Sequence, residues 1–222
     1  MNDVTSSQSV AIIDLGAGNL RSVHKAVERA AALETDNTRV FVTDQSSDIA
    51  NADRIVLPGV GAFAACMDGL HGLTGMRDAL ELAVFEDKKP LLGICVGMQM
   101  FADWGREFGD HAGLGWIKGQ VVRIDPLAPE LRVPHMGWNQ VQTTKKHDLF
   151  GKQNELSDIE FYFLHSFHFE TETNDVFIGS CDYGTALVAA VAQDNILGTQ
   201  FHPEKSQGAG LALLRNFLMW SP

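Results

Sequence analysis

The segment Leu91-Leu92-Gly93-Ile94-Cys95-Val96-Gly97-Met98-Gln99 constrains the fold of this chain more than any other. A short, wholly apolar run passes straight into G-x-C-x-G, and a helical pattern follows. An apolar run without polar alternation reads as a strand covered on both faces, as in a parallel sheet. The turn that carries it into a helix is a nucleophile elbow, with Cys where hydrolases carry Ser. Such a turn is sharp, and its flanking glycines let neighbouring backbone come close. It lifts the thiol above the carboxyl edge of the sheet, at the start of the next helix. The helix dipole and free N–H groups there favour the thiolate. The Val96 N–H lies where an oxyanion would form.

The rest of the first half agrees with a parallel sheet. Residues 10–15 read as a buried strand, and Gly16-Ala17-Gly18-Asn19 as the turn that ends it. Leu20, Val23, Val27 and Ala30 fall on one helical face, which predicts a helix over 20–33. Residues 40–42 and 54–57 read as strands, with Pro58-Gly59-Val60-Gly61 breaking the second. Met76, Leu80, Ala83 and Val84 predict a helix over 76–87. The second half differs: 120–124, 138–142, 161–169, 176–181, 187–192 and 196–201 are strand-like, with little helix between. These predict antiparallel hairpins added to the same sheet, closed by a helix at 208–220. The fold class is α/β, with a mostly parallel sheet covered by helices on both faces. A flexible segment, 1–9, precedes a single domain, 10–222.

Composition narrows the function. Seventeen Lys and Arg against 28 Asp and Glu give a net charge of −11, so most of the surface repels nucleic acid. Three cysteines without a C-x-x-C pair build neither a zinc cage nor a disulfide scaffold. No stretch is long and apolar enough to span a membrane. The first residues have neither a basic start nor an apolar run, so no signal peptide is expected. Cytoplasmic localisation is the expectation, with no metal, cofactor, nucleic acid or membrane partner.

A thiolate nucleophile needs a base, and the chain has eight histidines. Two stand in H-x-E, where a carboxylate can orient the imidazole: His168-Phe169-Glu170 and His202-Pro203-Glu204. Alternation through 161–170 puts His168 with Tyr162, Ser166 and Glu170 on a solvated or interface face, which makes it a surface residue. His202 instead follows the apolar run 196–201, at the carboxyl end of a core strand, where α/β sheets place their sites. Cys95, His202 and Glu204 are therefore the expected triad. Cys66 and Cys181 read as buried structural thiols. A second oxyanion donor is needed, and the Val60 N–H in Pro58-Gly59-Val60-Gly61 is the candidate.

Taken together, these motifs resemble the class I (triad) glutamine amidotransferases. Four segments narrow the likeness to the amidotransferase subunits of imidazole glycerol phosphate synthases. They are Ile12-Ile13-Asp14-Leu15-Gly16-Ala17-Gly18-Asn19-Leu20, Leu57-Pro58-Gly59-Val60-Gly61-Ala62-Phe63, Val133-Pro134-His135-Met136-Gly137-Trp138-Asn139 and Gln200-Phe201-His202-Pro203-Glu204-Lys205-Ser206-Gln207. The resemblance implies a flavodoxin-like fold and hydrolysis of glutamine through a Cys95 thioester. It implies substrate contacts from Gly59 and Gln99. It also implies a (β/α)₈-barrel cyclase partner, which takes the ammonia to make imidazole glycerol phosphate and AICAR from PRFAR. Asn19, Trp138 and Lys205 match positions towards that partner. From the residues alone, Asn19 is equally a helix N-cap, Trp138 a core aromatic and Lys205 a solvated charge. The close alternative is the same fold serving another acceptor, such as a pyridoxal or anthranilate synthase partner, against which Met136-Gly137-Trp138-Asn139 argues. A catalytically silent scaffold, which predicts a broken triad, and a cysteine peptidase built on the same elbow are the readings from other classes.

Overall fold

The unbroken apolar runs of the first half become the centre of a sheet, where both faces are covered. The structure, a computed structural model, describes residues 8–16, 19–33, 38–128, 130–151 and 155–222. Residues 1–7 of the expected flexible segment lie outside the described residues, as do Ala17 and Gly18 of the first turn. Ser9 already belongs to the first strand, β1 (Ser9–Ile13). It is followed by α1 (Leu20–Ala32), β2 (Arg39–Thr43), α2 (Ser46–Asn51) and β3 (Arg54–Gly59). Next come α3 (Phe63–Gly72), α4 (Met76–Glu81), β4 (Leu91–Cys95) and α5 (Val96–Gln99). Strands β2, β1, β3 and β4 lie side by side and parallel. Val10 to Ile13, Ile55 to Leu57, Leu91 and Leu92 are completely buried. Each Val, Ile or Leu side chain among these contributes about 1.5–3 kcal/mol of transfer free energy.

The second half supplies β5 (Trp104–Gly105), β6 (His111–Ala112), β7 (Gly119–Arg123), β8 (His135–Thr143) and β9 (Ile159–His165). It continues with β10 (Phe167–Thr171), β11 (Phe177–Asp182), β12 (Ala186–Gln193), β13 (Ile196–Thr199) and α6 (Gln207–Met219). β13 joins β4 in parallel, and β12, β11, β8 and β9 extend the sheet antiparallel to nine strands. Stacked rings of Phe161 and Phe201, 4.2 Å between centroids, lie beneath this extension. Arg54 ties the end of α6 to the sheet by donating to Phe217 O at 3.0 Å and Trp220 O at 2.7 Å. No helix among the described residues is long and apolar enough to cross a membrane.

Four local features differ from the pattern expected. Pro58 and Gly59 do not end β3; they stay in register with Ile94 and Cys95. β1 pairs with β3 only as far as Val56, so one flank is unpaired where Pro58 lacks its N–H. The helix expected over 76–87 is α4 followed by a π-turn at Leu82–Glu86. The helix after Cys95 is a single turn, so its dipole is small. The apolar run 161–169 breaks at Ser166. Beyond that break, β10 leaves the main sheet for a second, four-stranded one, ordered β10-β7-β5-β6.

Candidate active site

Cys95 stands at the junction of β4 and α5 with φ 55° and ψ −111°, on the left-handed side that L-residues avoid. Such a conformation costs about 1–3 kcal/mol and persists only where its surroundings enforce it. Here the enforcement is backbone packing between β3 and the elbow. A Cβ on Gly97 would collide with the Leu57 carbonyl oxygen, and one on Gly59 would come within 2.5 Å of Gly97 N. The glycines therefore let two backbones touch, and the contact brings Val60 beside Val96. Both valines line a cavity of about 420 Å³ together with Cys95, Gln99, Glu107 and His202. Gly59 is not in that lining; its place is the close approach itself.

His202 lies beyond the end of β13 and is clamped by its own backbone. Its N–H donates to Tyr162 O at 2.9 Å, and its carbonyl accepts from Ser206 Oγ at 2.7 Å. Ser206 Oγ in turn accepts from Tyr162 N at 2.9 Å. His202 Nδ1 meets Glu204 Oε1 at 2.8 Å, with the two side chains 4% and 3% exposed. Glu204 is not two residues along a strand, as alternation suggested. Pro203 turns the chain into a short 3₁₀ helix, Pro203–Lys205, which folds the carboxylate back onto the ring. Burial opposes charge on His202. Hydrogen bonds and charge from Cys95 and Glu204 outweigh it and push the imidazole up to about 10. With Nδ1 donating to the carboxylate, Nε2 is the nitrogen left for sulfur.

The other titratable candidates separate clearly. His168 sits on β10 in the second sheet, paired with Val122, and is absent from the cavity lining. It is mostly buried rather than solvated, because β10 packs near β12. Burial lowers its affinity for a proton, against the pull of Glu170 at 4.0 Å. Cys66 and Cys181 are buried free thiols, pushed up to about 11 and about 12 by desolvation. Gln99 donates from Nε2 both to Phe167 O at 2.9 Å and to Gln200 Oε1 at 3.0 Å. Its Oε1 is thus the atom that can face a ligand in the cavity.

Asn19 does cap α1, its Oδ1 accepting from Ser22 N at 3.3 Å, and it also lines the cavity. Lys205 lines the cavity as well, with Nζ 5.7 Å from the Tyr162 ring centre. Trp138 is not a core aromatic; it is 43% exposed and meets Tyr162 edge-on at 6.0 Å. It continues an exposed apolar strip with Met136 and Leu164, which pair across β8 and β9.

Sequence reasoning did not single out Glu107, Gln200, His135 or His165. Glu107 faces the cavity and accepts from Phe63 N at 2.8 Å. It comes from a loop, where no periodicity marks a residue. Gln200 is fully buried, and a polar residue ending an apolar strand was the available signal. His135 and His165 share a buried hydrogen bond of 3.0 Å.

The family described as "Glutamine amidotransferase class-I" matches residues 11–220. The imidazole glycerol phosphate synthase subunit HisH of Zymomonas mobilis is 50% identical over 218 residues, covering 98% of each chain. The protein of the same name from Rhodospirillum rubrum is 48% identical, covering 96% of this chain and 99% of the relative. A solved glutamine amidotransferase superposes with a TM-score of 0.71 at 19% identity, covering 95% of this chain and 97% of its own. At that identity the likeness speaks for the fold alone.

Proposed function

Because the chain belongs to the class-I glutamine amidotransferase family, we propose that it is the glutamine-hydrolysing subunit of an imidazole glycerol phosphate synthase, with Cys95, His202 and Glu204 as its triad. The observation that carries the triad is the buried 2.8 Å pair of His202 and Glu204, with His202 lining the same cavity as a strained cysteine elbow. The Cys95 thiolate attacks the side-chain carbonyl carbon of glutamine. The oxygen takes up the negative charge, held by the N–H groups of Val60 and Val96. The C–N bond then breaks, and His202 gives its proton to the leaving nitrogen, which departs as ammonia. Water attacks the thioester, its proton passes to His202, and sulfur leaves again as thiolate while glutamate is released. Glu204 keeps the imidazole in one tautomer throughout. Gln99 Oε1 and Glu107 offer acceptors for the substrate's own N–H groups.

The relatives named above are subunits of a synthase, and a second polypeptide is needed here for the same chemical reason. Ammonia in bulk water at neutral pH is mostly protonated and cannot attack. We place the partner, a (β/α)₈-barrel cyclase that converts PRFAR to imidazole glycerol phosphate and AICAR, against the cavity mouth in the cytoplasm. Asn19 and Lys205 line that cavity, as does Leu164, which belongs to the exposed apolar strip with Met136 and Trp138. Apolar side chains grouped on a strand pair are what an interface covers. A cavity of about 420 Å³ suits one amino acid better than an extended peptide, which favours glutamine over peptidase chemistry.

The test is glutamate release with and without the cyclase subunit and its ribonucleotide. A low basal rate that rises strongly with both is expected. Cys95→Ser should stop glutamate release while leaving the complex able to use added ammonium salt. No glutamate under any condition would refute the reading.

A further inference from the structure

Gln200 follows β13, is completely buried, and donates its backbone N–H to Ala189 O at 2.8 Å. The direction of its side-chain amide is fixed by a chain of acceptors. Phe167 O can only accept, so Gln99 must present its amino group there, at 2.9 Å. The second hydrogen of that nitrogen goes to Gln200 Oε1 at 3.0 Å. With Oε1 engaged, Gln200 Nε2 faces Cys95 Sγ at 3.6 Å. Phe167 O is itself pinned by His165 Nδ1 at 2.9 Å. His165 must therefore donate from Nδ1 and accept at Nε2 from His135 Nδ1, at 3.0 Å. No member of this chain can turn over without leaving a buried polar atom unpaired.

We propose that Gln200 is a further catalytic residue, whose amide N–H donates to Cys95 Sγ, holds the sulfur as thiolate and fixes its position for attack. The proposal rests on Cys95 being the nucleophile. A donor aimed at an ionisable group favours its charged form, and the single turn of α5 supplies little dipole to do so. His202, its Nδ1 paired with Glu204, also hydrogen-bonds the sulfur. Cys66 on α3, its thiol donating to Val60 O at 3.4 Å, is close enough to interact with the sulfur, and Glu107, His165 and Lys205 line the cavity. In the thiol form the sulfur can donate to His202 Nε2 or, over a long contact of 3.9 Å, to Leu164 O. The Gln200 donor also serves the second half of the reaction, when sulfur must leave the thioester as an anion.

The experiment is alkylation of the full chain by iodoacetamide across a pH series, reading the Cys95 peptide by mass spectrometry. Gln200→Met removes the donor without adding charge. Its half-maximal pH should rise by about one unit relative to the wild type, the size expected for a hydrogen bond to a charged group. Gln99→Met, which frees the Gln200 amide from its anchor, should shift it in the same direction by less. An unchanged midpoint in folded Gln200→Met overturns the proposal. If that variant does not fold, an unchanged midpoint in Gln99→Met does the same. The nucleophile assignment is read separately: glutamate release that survives full alkylation of Cys95 in the wild type would refute it, whatever the midpoints do.

Discussion

Mild acid should unfold this protein through two histidines that do not take part in the bond-breaking steps. His135 and His165 are 3% and 6% exposed and share one hydrogen bond. Burial lowers His135 to about 4, and burial together with neighbouring histidines lowers His165 to about 3. Both are neutral in the fold. In the unfolded chain each takes up a proton near the ordinary imidazole value of about 6.5. Between there and about 4 the unfolded state binds more protons, so stability falls as pH falls through that window. For His135, the gap from 6.5 to about 4 is worth about 3 kcal/mol at ~1.4 kcal/mol per pH unit. His165 contributes at least as much, and the partly buried His147 and His168 add with the same sign. The sum rivals the ~5–15 kcal/mol that holds a typical domain folded. His202 does not enter this window. Its value is raised to about 10, so its contribution is complete below 6.5 and is lost only as pH rises towards 10. Urea unfolding followed by tryptophan fluorescence over a pH series measures the slope. His135→Gln, whose amide can still donate to His165, should reduce that slope by about one proton, ~1.4 kcal/mol per pH unit. A wild-type stability that is flat across the window, or a slope unchanged in His135→Gln, would refute the reasoning.

The other predictions concern the site. Glu204→Gln should lower kcat for glutamate release in the complex by a factor on the order of 10³ or more, because the imidazole loses its orienting carboxylate. His202→Asn should abolish release and His168→Asn should retain it, read by the same assay; the reverse would put the base in the wrong H-x-E pair. Gly97→Ala drives a Cβ into the Leu57 carbonyl and should cost about 1–3 kcal/mol or more in thermal unfolding.

The parallel core was legible because Val10 to Ile13, Ile55 to Leu57 and Leu91 to Ile94 are apolar without alternation, the mark of strands covered on both sides. The proposed triad, Cys95, His202 and Glu204, was legible as a candidate because glycine framing and H-x-E spacing are local. The second sheet was not. Residues 161–169 alternate continuously through Ser166, and nothing in that alternation says that His165 and Phe167 belong to different sheets. Gln200 and Glu107 escaped for a related reason. Their partners, Gln99 with Cys95 and Phe63, lie about a hundred and about forty residues away, so the contacts exist only after the chain has folded.

The irregular features converge on the cavity, and they share a cause. A regular ladder consumes every backbone N–H and C=O in pairing. The site needs several of these groups for itself, so regularity ends where it begins. β3 runs on through Pro58 with one flank unpaired, and next to it stands Val60, the proposed oxyanion donor. β4 ends in a left-handed Cys95 instead of continuing. The break at Ser166 leaves the Phe167 carbonyl to accept from Gln99 and His165, two side chains rather than a strand. β13 stops at Thr199, and the 3₁₀ turn after it brings Glu204 back to His202. Local propensity fails at these positions because the backbone there is held by side chains and by close backbone contact, which is where a folded enzyme is expected to depart from the simple pattern.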